Sequence, residues 1–273
     1  MVWYSPPEPP PFVRLAADPV RWRLLAELAC GDHRVRELVE LVDQPQNLVS
    51  YHLAKLREAG LVGARRSSFD GRDSYYHLDL KHCATSLAAT GTALHPALHP
   101  GLDPGQHPAR TEPTVSADGP PRRVLFLDTG DSVRSPMAEA LLGLRAGERA
   151  VPAVPVVPAG AGSDPRPAHP DAVRVLREDY GVDIADRRPH DLDAVAGQRF
   201  DVVISLCDRV REIRPEFAGH HETMHWSIPD PATGMSVGAA AGYPAFQRTA
   251  AELDDRIRFL LPALELTRPG QSR

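Results

Sequence analysis

Residues 124–140 read VLFLDTGDSVRSPMAEA and combine an apolar run, a short loop and the start of a helical pattern at Ser135. The apolar run is typical of a strand in the middle of a parallel sheet. Backbone N–H groups of such a loop and of the helix N-terminus point into one space, where they favour an anion. The stretch therefore predicts a strand, an anion-sized loop and a helix N-terminus.

This stretch resembles the active-site loop of the low-molecular-weight tyrosine phosphatase and arsenate reductase family. In that family the loop begins with a nucleophilic Cys, continues over five residues to an Arg, and then reads Ser-Pro-Met-Ala-Glu. Arg134 to Glu139 match the end of the signature, but Asp128 occupies the position of the nucleophile. The resemblance implies that one group of residues surrounds a ligand: Asp128, Thr129, Gly130, Asp131, Ser132, Val133, Arg134, Ser135 and Asp230.

Strands that alternate with helices predict a doubly wound α/β domain over residues 121–268, with its site at the carboxyl ends of parallel strands. The family resemblance covers nearly all of this region. The expected strands are 122–127, 151–157 (ending at Ala159-Gly160-Ala161-Gly162), 200–206 and 223–226, and the expected helices are 135–147, 170–180 and 245–264.

Two further segments resemble functional parts of the same family. Residues 226–231, WSIPDP, resemble the loop in which an Asp-Pro pair supplies the general acid, so Asp230 is either that acid or a turn residue. Cys207 resembles the first relay cysteine of thioredoxin-coupled arsenate reductases. The second relay position, seven residues later, is Arg214. The relay that arsenate reduction needs is therefore incomplete.

The residue at the nucleophile's position changes the expected chemistry. A carboxylate is a weak nucleophile and carries a negative charge near neutral pH. Asp131, where the family usually has Asn, is expected to add a second charge that repels an oxyanion by roughly a few kcal/mol. We expect Asp128 to pair with Arg134, and the site to prefer a neutral or cationic ligand. Residual phosphatase or arsenate-handling activity, and phosphorylation of Asp128 itself, remain the alternatives.

The N-terminal region shows the pattern of a winged helix. Helices are expected over 12–29, with Asp18 as N-cap and Pro19 as first residue, over 35–41, and over 46–59 with Gly60 as left-handed cap. Strands are then expected from Leu61 and over 74–78, joined at the turn Asp70-Gly71. Two helices joined by a tight turn and followed by a hairpin indicate DNA binding.

Residues 12–92 resemble the ArsR family of dimeric repressors in the order of helix, cap and wing. The resemblance implies a homodimer on a double-stranded DNA operator. Residues expected to reach base edges are Gln46, Asn47, Ser50, Tyr51 and His52. Residues expected to meet phosphates or the minor groove are Lys55, Arg57, Arg65, Arg66 and Arg72. The alternatives are that these are simply solvated polar residues and that His52 packs internally.

Metal sensing, which many ArsR-like repressors perform, has weaker support in this chain. Asp79, His82 and Cys83 fall within one turn of the last helix of the domain, and His95 and His99 follow in a Pro-interrupted stretch. These spacings match no recognisable metal geometry. We therefore expect neither a metal site nor a cofactor.

The composition sets the remaining limits. The chain has 273 residues, enough for two domains, and a net charge of −5, so DNA binding requires a local basic surface. Three separated cysteines suit a reducing cytoplasm, and no apolar run approaches the roughly 20 residues of a membrane span. Residues 1–11 and 269–273 read as tails, and residues 93–120 as a Pro/Gly/His-rich linker.

Together these patterns predict an α/β protein with an N-terminal winged helix-turn-helix domain and a C-terminal phosphatase-like domain. The predicted function is transcription regulation, with repression implied by the family resemblance. In this hypothesis the second domain is catalytically inactive and serves as a ligand-sensing or interaction module for an unknown small-molecule effector.

Overall fold

The computed structural model describes residues 8–94, 122–148, 156–162, 164, 166–191, 195, 198–213, 222–232 and 242–266. The chain divides into two compact units, which we describe one at a time. Within the described residues, no helix is long and apolar enough to cross a membrane.

The N-terminal unit is a winged helix, as predicted. Its three strands form an antiparallel sheet in the order β1-β3-β2. Helix α1 begins one residue inside the expected tail, and α5 continues two residues into the expected linker, whose remainder lies outside the described residues. The elements are α1 (Pro11–Ala16), α2 (Pro19–Cys30), β1 (His33–Arg34), α3 (Val35–Val42), α4 (Gln46–Glu58), β2 (Val62–Arg66), β3 (Ser74–Leu78) and α5 (Leu80–Leu94).

Local sequence signals determine where these helices begin and end. The Asp18 carboxylate accepts hydrogen bonds from the N–H groups of Val20 and Arg21, both at 3.0 Å, and Pro19 is the first residue of α2. Beyond the end of α4, Gly60 has φ 71°, a left-handed conformation that costs glycine little. The predicted caps of α2 and α4 are confirmed.

The C-terminal unit contains a fully parallel four-stranded sheet in the order β5-β4-β6-β7. This order, with helices between the strands, confirms the predicted doubly wound class. The elements are β4 (Arg122–Asp128), α6 (Arg134–Gly147), β5 (Val156–Gly162), α7 (Pro170–Tyr180), β6 (Val202–Ser205), α8 (Asp208–Ile213), β7 (Glu222–His225) and α9 (Tyr243–Leu266).

Both faces of the sheet are buried because the strands alternate between two apolar clusters. Phe126 and Ile204 face a large cluster that α6, α7 and α9 complete. Leu125 and Val203 face a smaller cluster around Phe200. Continuous apolar strands of this kind are characteristic of parallel sheets buried on both sides.

The second strand lies later in the chain than predicted. It was expected over 151–157, with the four small residues 159–162 after it, but β5 runs from Val156 to Gly162. Residues 151–155 lie outside the described part of the chain. The small residues belong to the strand because it passes close to the loop, where a Cβ on Gly162 would lie 2.5 Å from the Asp131 backbone nitrogen. Glycine permits this approach.

Candidate functional site

The candidate site lies where β4 ends at Asp128 and α6 begins at Arg134, with residues 129–133 forming the loop between them. The cleft above the loop is lined by Asp128, Thr129, Gly130, Ser132, Val133, Arg134 and Asp230. Asp131 and Ser135, also expected there, are fully buried behind the loop. Arg166, His169 and Cys207 also line the cleft. Of the nine residues expected around a ligand, seven line this cleft, and Asp131 and Ser135 do not.

The Asp128 carboxylate occupies the inner side of the loop. Its Oδ1 accepts hydrogen bonds from the N–H groups of Gly130 at 3.1 Å and Asp131 at 2.6 Å, and its Oδ2 accepts one from the Ser135 N–H at 3.3 Å. The side chain is almost fully buried. Three backbone donors that could face a bound anion are thus already occupied by a carboxylate of the chain itself.

Arg134 is bound to the protein on several sides. Its Nε lies 3.7 Å from Asp128 Oδ2, which confirms the predicted pairing, and its Nη2 lies 3.6 Å from Asp230 Oδ2. Its Nη1 donates to the carbonyl oxygens of Leu206 at 3.3 Å and Ile228 at 3.0 Å. Burial alone would lower the pKa of Arg134, but the charges around it, that of Asp128 foremost, raise it.

The expected position of Asp131 requires a correction, because its carboxylate is fully buried and does not line the cleft. Its φ of 43° is left-handed and directs the carboxylate into the protein. There it accepts hydrogen bonds from Arg187 at 2.9 and 3.0 Å, from Ser135 Oγ at 2.8 Å and from the His190 N–H at 2.7 Å. A fully buried, doubly paired carboxylate of this kind supports the loop from behind.

Arg187 is the supporting residue whose role the sequence did not reveal. In addition to Asp131, it donates to Glu139 Oε2 of α6 at 2.7 Å and to the Gly160 carbonyl of β5 at 3.2 Å. Burial raises the pKa of Glu139, and the Arg187 charge opposes that shift. In the sequence Arg187 stands beside Arg188, and nothing in their spacing indicates a buried partner.

The outer side of the loop is fixed by the segment before α7. The carbonyl oxygens of Thr129, Gly130 and Ser132 accept hydrogen bonds from backbone N–H groups of residues 164, 166 and 169 at 2.8, 2.9 and 2.7 Å. The loop is therefore restrained by Asp128 on the inside and by backbone contacts on the outside.

Asp230 and Cys207 lie at the edge of the cleft. Asp230 Oδ1 accepts from the Ala232 N–H at 2.9 Å, as a turn residue does, while its Oδ2 faces Arg134. Cys207 Sγ is buried, 3.5 Å from Thr129 Oγ1. Arg214, at the second relay position, lies outside the described residues. Around the loop base, one guanidinium therefore faces two carboxylates.

All of the expected DNA-contacting residues except Arg72 lie in the N-terminal unit. Gln46, Asn47, Ser50, Tyr51, Arg57, Arg66 and Arg72 are exposed, and Arg65 is partly exposed. The Lys55 ammonium is 2.9 Å from the Glu58 carboxylate.

His52 requires a correction as a base-reading candidate. It is 6% exposed and lies on the core side of α4, three residues after Val49. Its Nδ1 is 3.8 Å from Asp18 Oδ1, the N-cap of α2. Residues spaced by three and four positions share one helix face, so His52 belongs with the core residues. Of the two interpretations that the sequence left open, internal packing is the observed one.

The residues considered for metal binding have structural contacts. Asp79 accepts a hydrogen bond from the His82 N–H at 2.8 Å, and Cys83 Sγ lies 3.8 Å from the Leu61 carbonyl. Burial raises the pKa of Cys83 to about 11. Across the described parts of the chain, no three His, Cys, Asp or Glu side chains are grouped as a metal site would require. His95 and His99 lie outside them.

Two family models match the chain. Residues 123–270 match the family described as low molecular weight phosphotyrosine protein phosphatase, and residues 18–63 match the bacterial regulatory protein, arsR family.

Individual relatives match the C-terminal half. An arsenate reductase of Brevibacillus brevis is 31% identical over 137 residues, which are 50% of this chain and 92% of that protein. An arsenate reductase of Bacillus anthracis is 29% identical over 137 residues, which are again 50% of this chain and 92% of that protein. Among solved structures, the low molecular weight protein tyrosine phosphatase from T. tengcongensis is 28% identical, with TM-score 0.39 over 52% of this chain and 99% of that chain. An arsenate reductase in the phosphate binding state is 24% identical, with TM-score 0.42 over 52% and 98%.

Proposed function

The chain belongs to the low molecular weight phosphotyrosine protein phosphatase family through residues 123–270 and carries an arsR-family regulator domain at residues 18–63; from this we propose a DNA-binding repressor whose phosphatase-like domain senses a ligand without catalysis. The observation that carries the proposal is the carboxylate of Asp128, which accepts hydrogen bonds from three loop amides and which the family resemblance aligns with the nucleophile. A DNA-binding regulator has to be in the compartment that contains its operator. This requirement agrees with the expected cytoplasmic location.

The proposed loss of catalysis rests on three features of the site. A carboxylate is a poor substitute for a thiolate nucleophile. Its oxygens accept from the amides of Gly130, Asp131 and Ser135, which are then less able to stabilise a transferring oxyanion. Arg134 donates to two backbone carbonyls and faces two carboxylates, so its charge is largely compensated before any ligand arrives.

The same charges indicate the class of effector. At the loop base, Asp128 and Asp230 form a local excess of one negative charge over Arg134, while Arg166, paired with Asp164, and Arg209 line the outer cleft. An oxyanion would add to this excess, whereas a neutral or cationic group would not. A thermal-shift screen of the full chain with phosphate, arsenate, guanidinium and small amines tests the prediction. Tight, competitive binding of phosphate or arsenate would contradict it.

Dimerisation is supported by the last helix of the N-terminal unit. None of the 15 described residues of α5 is buried. Leu87 is 55% exposed and Leu94 is 81% exposed. An apolar helix face that the unit itself leaves open is what a second copy would cover. A two-fold dimer in turn implies an operator with inverted half-sites.

The direct test is a gel-shift assay with the DNA upstream of the protein's own gene. We expect a specific complex that an Arg57→Ala/Arg65→Ala variant weakens strongly, because both residues are proposed phosphate contacts. Arg188→Ala/Arg248→Ala, at two exposed arginines of the C-terminal unit, is the charge-matched control and should bind as wild type. Failure of the wild type to bind specifically at moderate salt would contradict the proposed function.

A second candidate, a bifunctional regulator with residual hydrolysis, is favoured by one observation: Arg134 and Asp230 still face each other at 3.6 Å beside the loop. Turnover of an aryl phosphate by the purified chain, abolished by both Arg134→Ala and Asp230→Asn, would support this candidate. Activity that survives both substitutions belongs to a contaminant.

A further inference from the structure

Helix α4 has one apolar side and one exposed side, and their composition differs sharply. Val49, His52, Leu53 and Leu56 are buried. At about 100° per residue, Asn47, Tyr51, Ala54 and Glu58 lie on the opposite side. All four are exposed. Glu58, in the last turn, is paired with Lys55. We call Asn47, Tyr51 and Ala54 the reading stripe, because the N-terminal part of a recognition helix contacts base edges in the major groove.

The reading stripe contains no basic residue. The basic residues of α4 are Lys55 and Arg57, which lie on either side of the stripe near the C-terminal end. Lys55 is also held by Glu58 at 2.9 Å. Arginine and lysine are the side chains that most often read guanine, through its O6 and N7 atoms. In these flanking positions they suit phosphates on the two edges of the groove.

Each residue of the stripe fits one partner in an A·T pair. The Asn47 amide can donate to adenine N7 while it accepts from adenine N6, and the Ala54 methyl suits the thymine methyl. Asn47 and Tyr51 are one helical turn apart, about 5–6 Å, close to the spacing of one or two base pairs.

The ring of Tyr51 is held in place from below. It meets the buried His52 ring edge-on, with centroids 5.2 Å apart and an interplanar angle of 73°. Such edge-to-face contacts favour a defined ring orientation. Tyr51 is nevertheless 55% exposed, so an oriented apolar surface faces outward. His52, although it cannot reach DNA, thus positions a neighbour that can.

We propose that α4 reads A·T base pairs at the centre of each operator half-site, with Asn47 bound to an adenine and Tyr51 and Ala54 against a thymine methyl. This proposal rests on the proposed DNA-binding function and adds the sequence class that the domain selects.

The test begins with selection of binding sites from a random DNA library by the full-length chain. In the enriched site, each adenine is replaced in turn by 7-deazaadenine, which lacks the N7 acceptor, and each thymine by uracil, which lacks the methyl group. One adenine replacement per half-site should cost wild type about 5- to 150-fold in affinity, the range for one specific base contact. Uracil at a neighbouring pair should also weaken binding.

Variants then assign the contacts. Asn47→Ala should be insensitive to the adenine replacement, and Tyr51→Ala to the uracil replacement, while each keeps its response to the other. Arg57→Ala, the control, should bind more weakly overall yet respond to both analogues as wild type does. Both stripe residues are exposed, so the folded state is expected to survive, and circular dichroism verifies it.

The outcomes distinguish this proposal from the function on which it rests. An enriched site whose invariant positions are G·C, or an Asn47→Ala variant that still responds to 7-deazaadenine, overturns the proposal and leaves DNA binding intact. Absence of any enriched sequence overturns both.

Discussion

At Asp128, a single side chain performs the role that a bound anion has in a phosphate-binding loop. Its two oxygens receive three backbone N–H groups, so these three donors are satisfied without any ligand. Buried amide groups need such partners, and their satisfaction keeps the loop in one conformation. The remaining parts that the family resemblance identifies, Arg134 and Asp230, are still beside it.

Restoring a thiol should therefore restore chemistry. We expect Asp128→Cys to hydrolyse an aryl phosphate measurably. The loop N–H groups no longer bind a carboxylate and can bind the phosphate of the substrate, and a thiolate can attack phosphorus. Asp128→Ser is the matched control, with a weaker nucleophile in the same space. Adding Asp230→Asn to Asp128→Cys should reduce turnover by about 10²-fold or more, the contribution of a general acid. An inactive but folded Asp128→Cys variant would show that more than the nucleophile has been lost.

Arg187 should matter for stability rather than for ligand binding. Arg187→Met keeps most of the side-chain volume but leaves the fully buried Asp131 carboxylate without its ion pair. We expect the free energy of unfolding to fall by about 3–5 kcal/mol, as when one partner of a buried pair is removed. Chemical denaturation measures the loss, with Arg188→Met at the exposed neighbour as control. Equal stability of the two variants would contradict the supporting role.

The residues that sequence reasoning misplaced were misplaced for different reasons. Asp131 was expected in the cleft because of its position in the loop, but its direction depends on a left-handed φ that no local pattern specifies. The ion pair with Arg187 joins positions 56 residues apart, and pairing over such a separation requires knowledge of the fold. His52, in contrast, lies on the i, i+3, i+4 stripe of α4 and could have been assigned to the core from spacing alone.

Among the elements, the strands at the centre of the C-terminal sheet were the most predictable. Their apolar runs are long enough to identify buried parallel strands, and β4, β6 and β7 lie within one or two residues of the expected ranges. The strand β5 was misplaced because its glycines look like a turn in sequence. They serve the close approach of Gly162 to the loop, which is a tertiary requirement.

The ends of β6 and β7 are joined by a buried hydrogen-bonded pair. Asp208, which follows β6 at the start of α8, contacts His225 Nε2 of β7 at 3.1 Å. The other ring nitrogen of His225 lies 3.0 Å from the Ser205 carbonyl. Burial by itself raises the pKa of Asp208, but its hydrogen bonds, that of His225 the largest, lower it to about 2.

This shift predicts an acid-sensitive contribution to stability. A carboxyl group whose pKa is lower in the folded state than in the unfolded state stabilises the fold above the unfolded value of 3.8, and the contribution is lost as pH falls toward 2. Relative to an Asp208→Asn variant, wild type should lose up to about 2 kcal/mol of stability between pH 5 and pH 2.

Thermal unfolding across that pH range measures the effect, with Asp186→Asn at an exposed carboxylate as control. If the difference in stability between wild type and Asp208→Asn does not change with pH, the proposed linkage is ruled out.

The whole molecule has a net charge of −5, so a local cluster of basic residues is required to bind DNA. In a dimer each proposed phosphate contact occurs twice. The slope of log K against log salt is about −0.9 per contact on B-DNA, so Arg57→Ala should make the slope less steep by about 2. Binding titrations at several salt concentrations measure it, with Arg248→Ala expected to leave the slope unchanged. An unaltered slope for Arg57→Ala would remove that residue from the phosphate contacts.

The carboxylate at the base of the loop also changes how this domain responds to oxidants. A low-pKa thiolate at that position can be driven to sulfenic, sulfinic and sulfonic acids, the last irreversibly. A carboxylate has no corresponding series of oxidation states. Peroxide that silences a thiol-dependent member of the family therefore leaves the Asp128 carboxylate itself chemically unchanged.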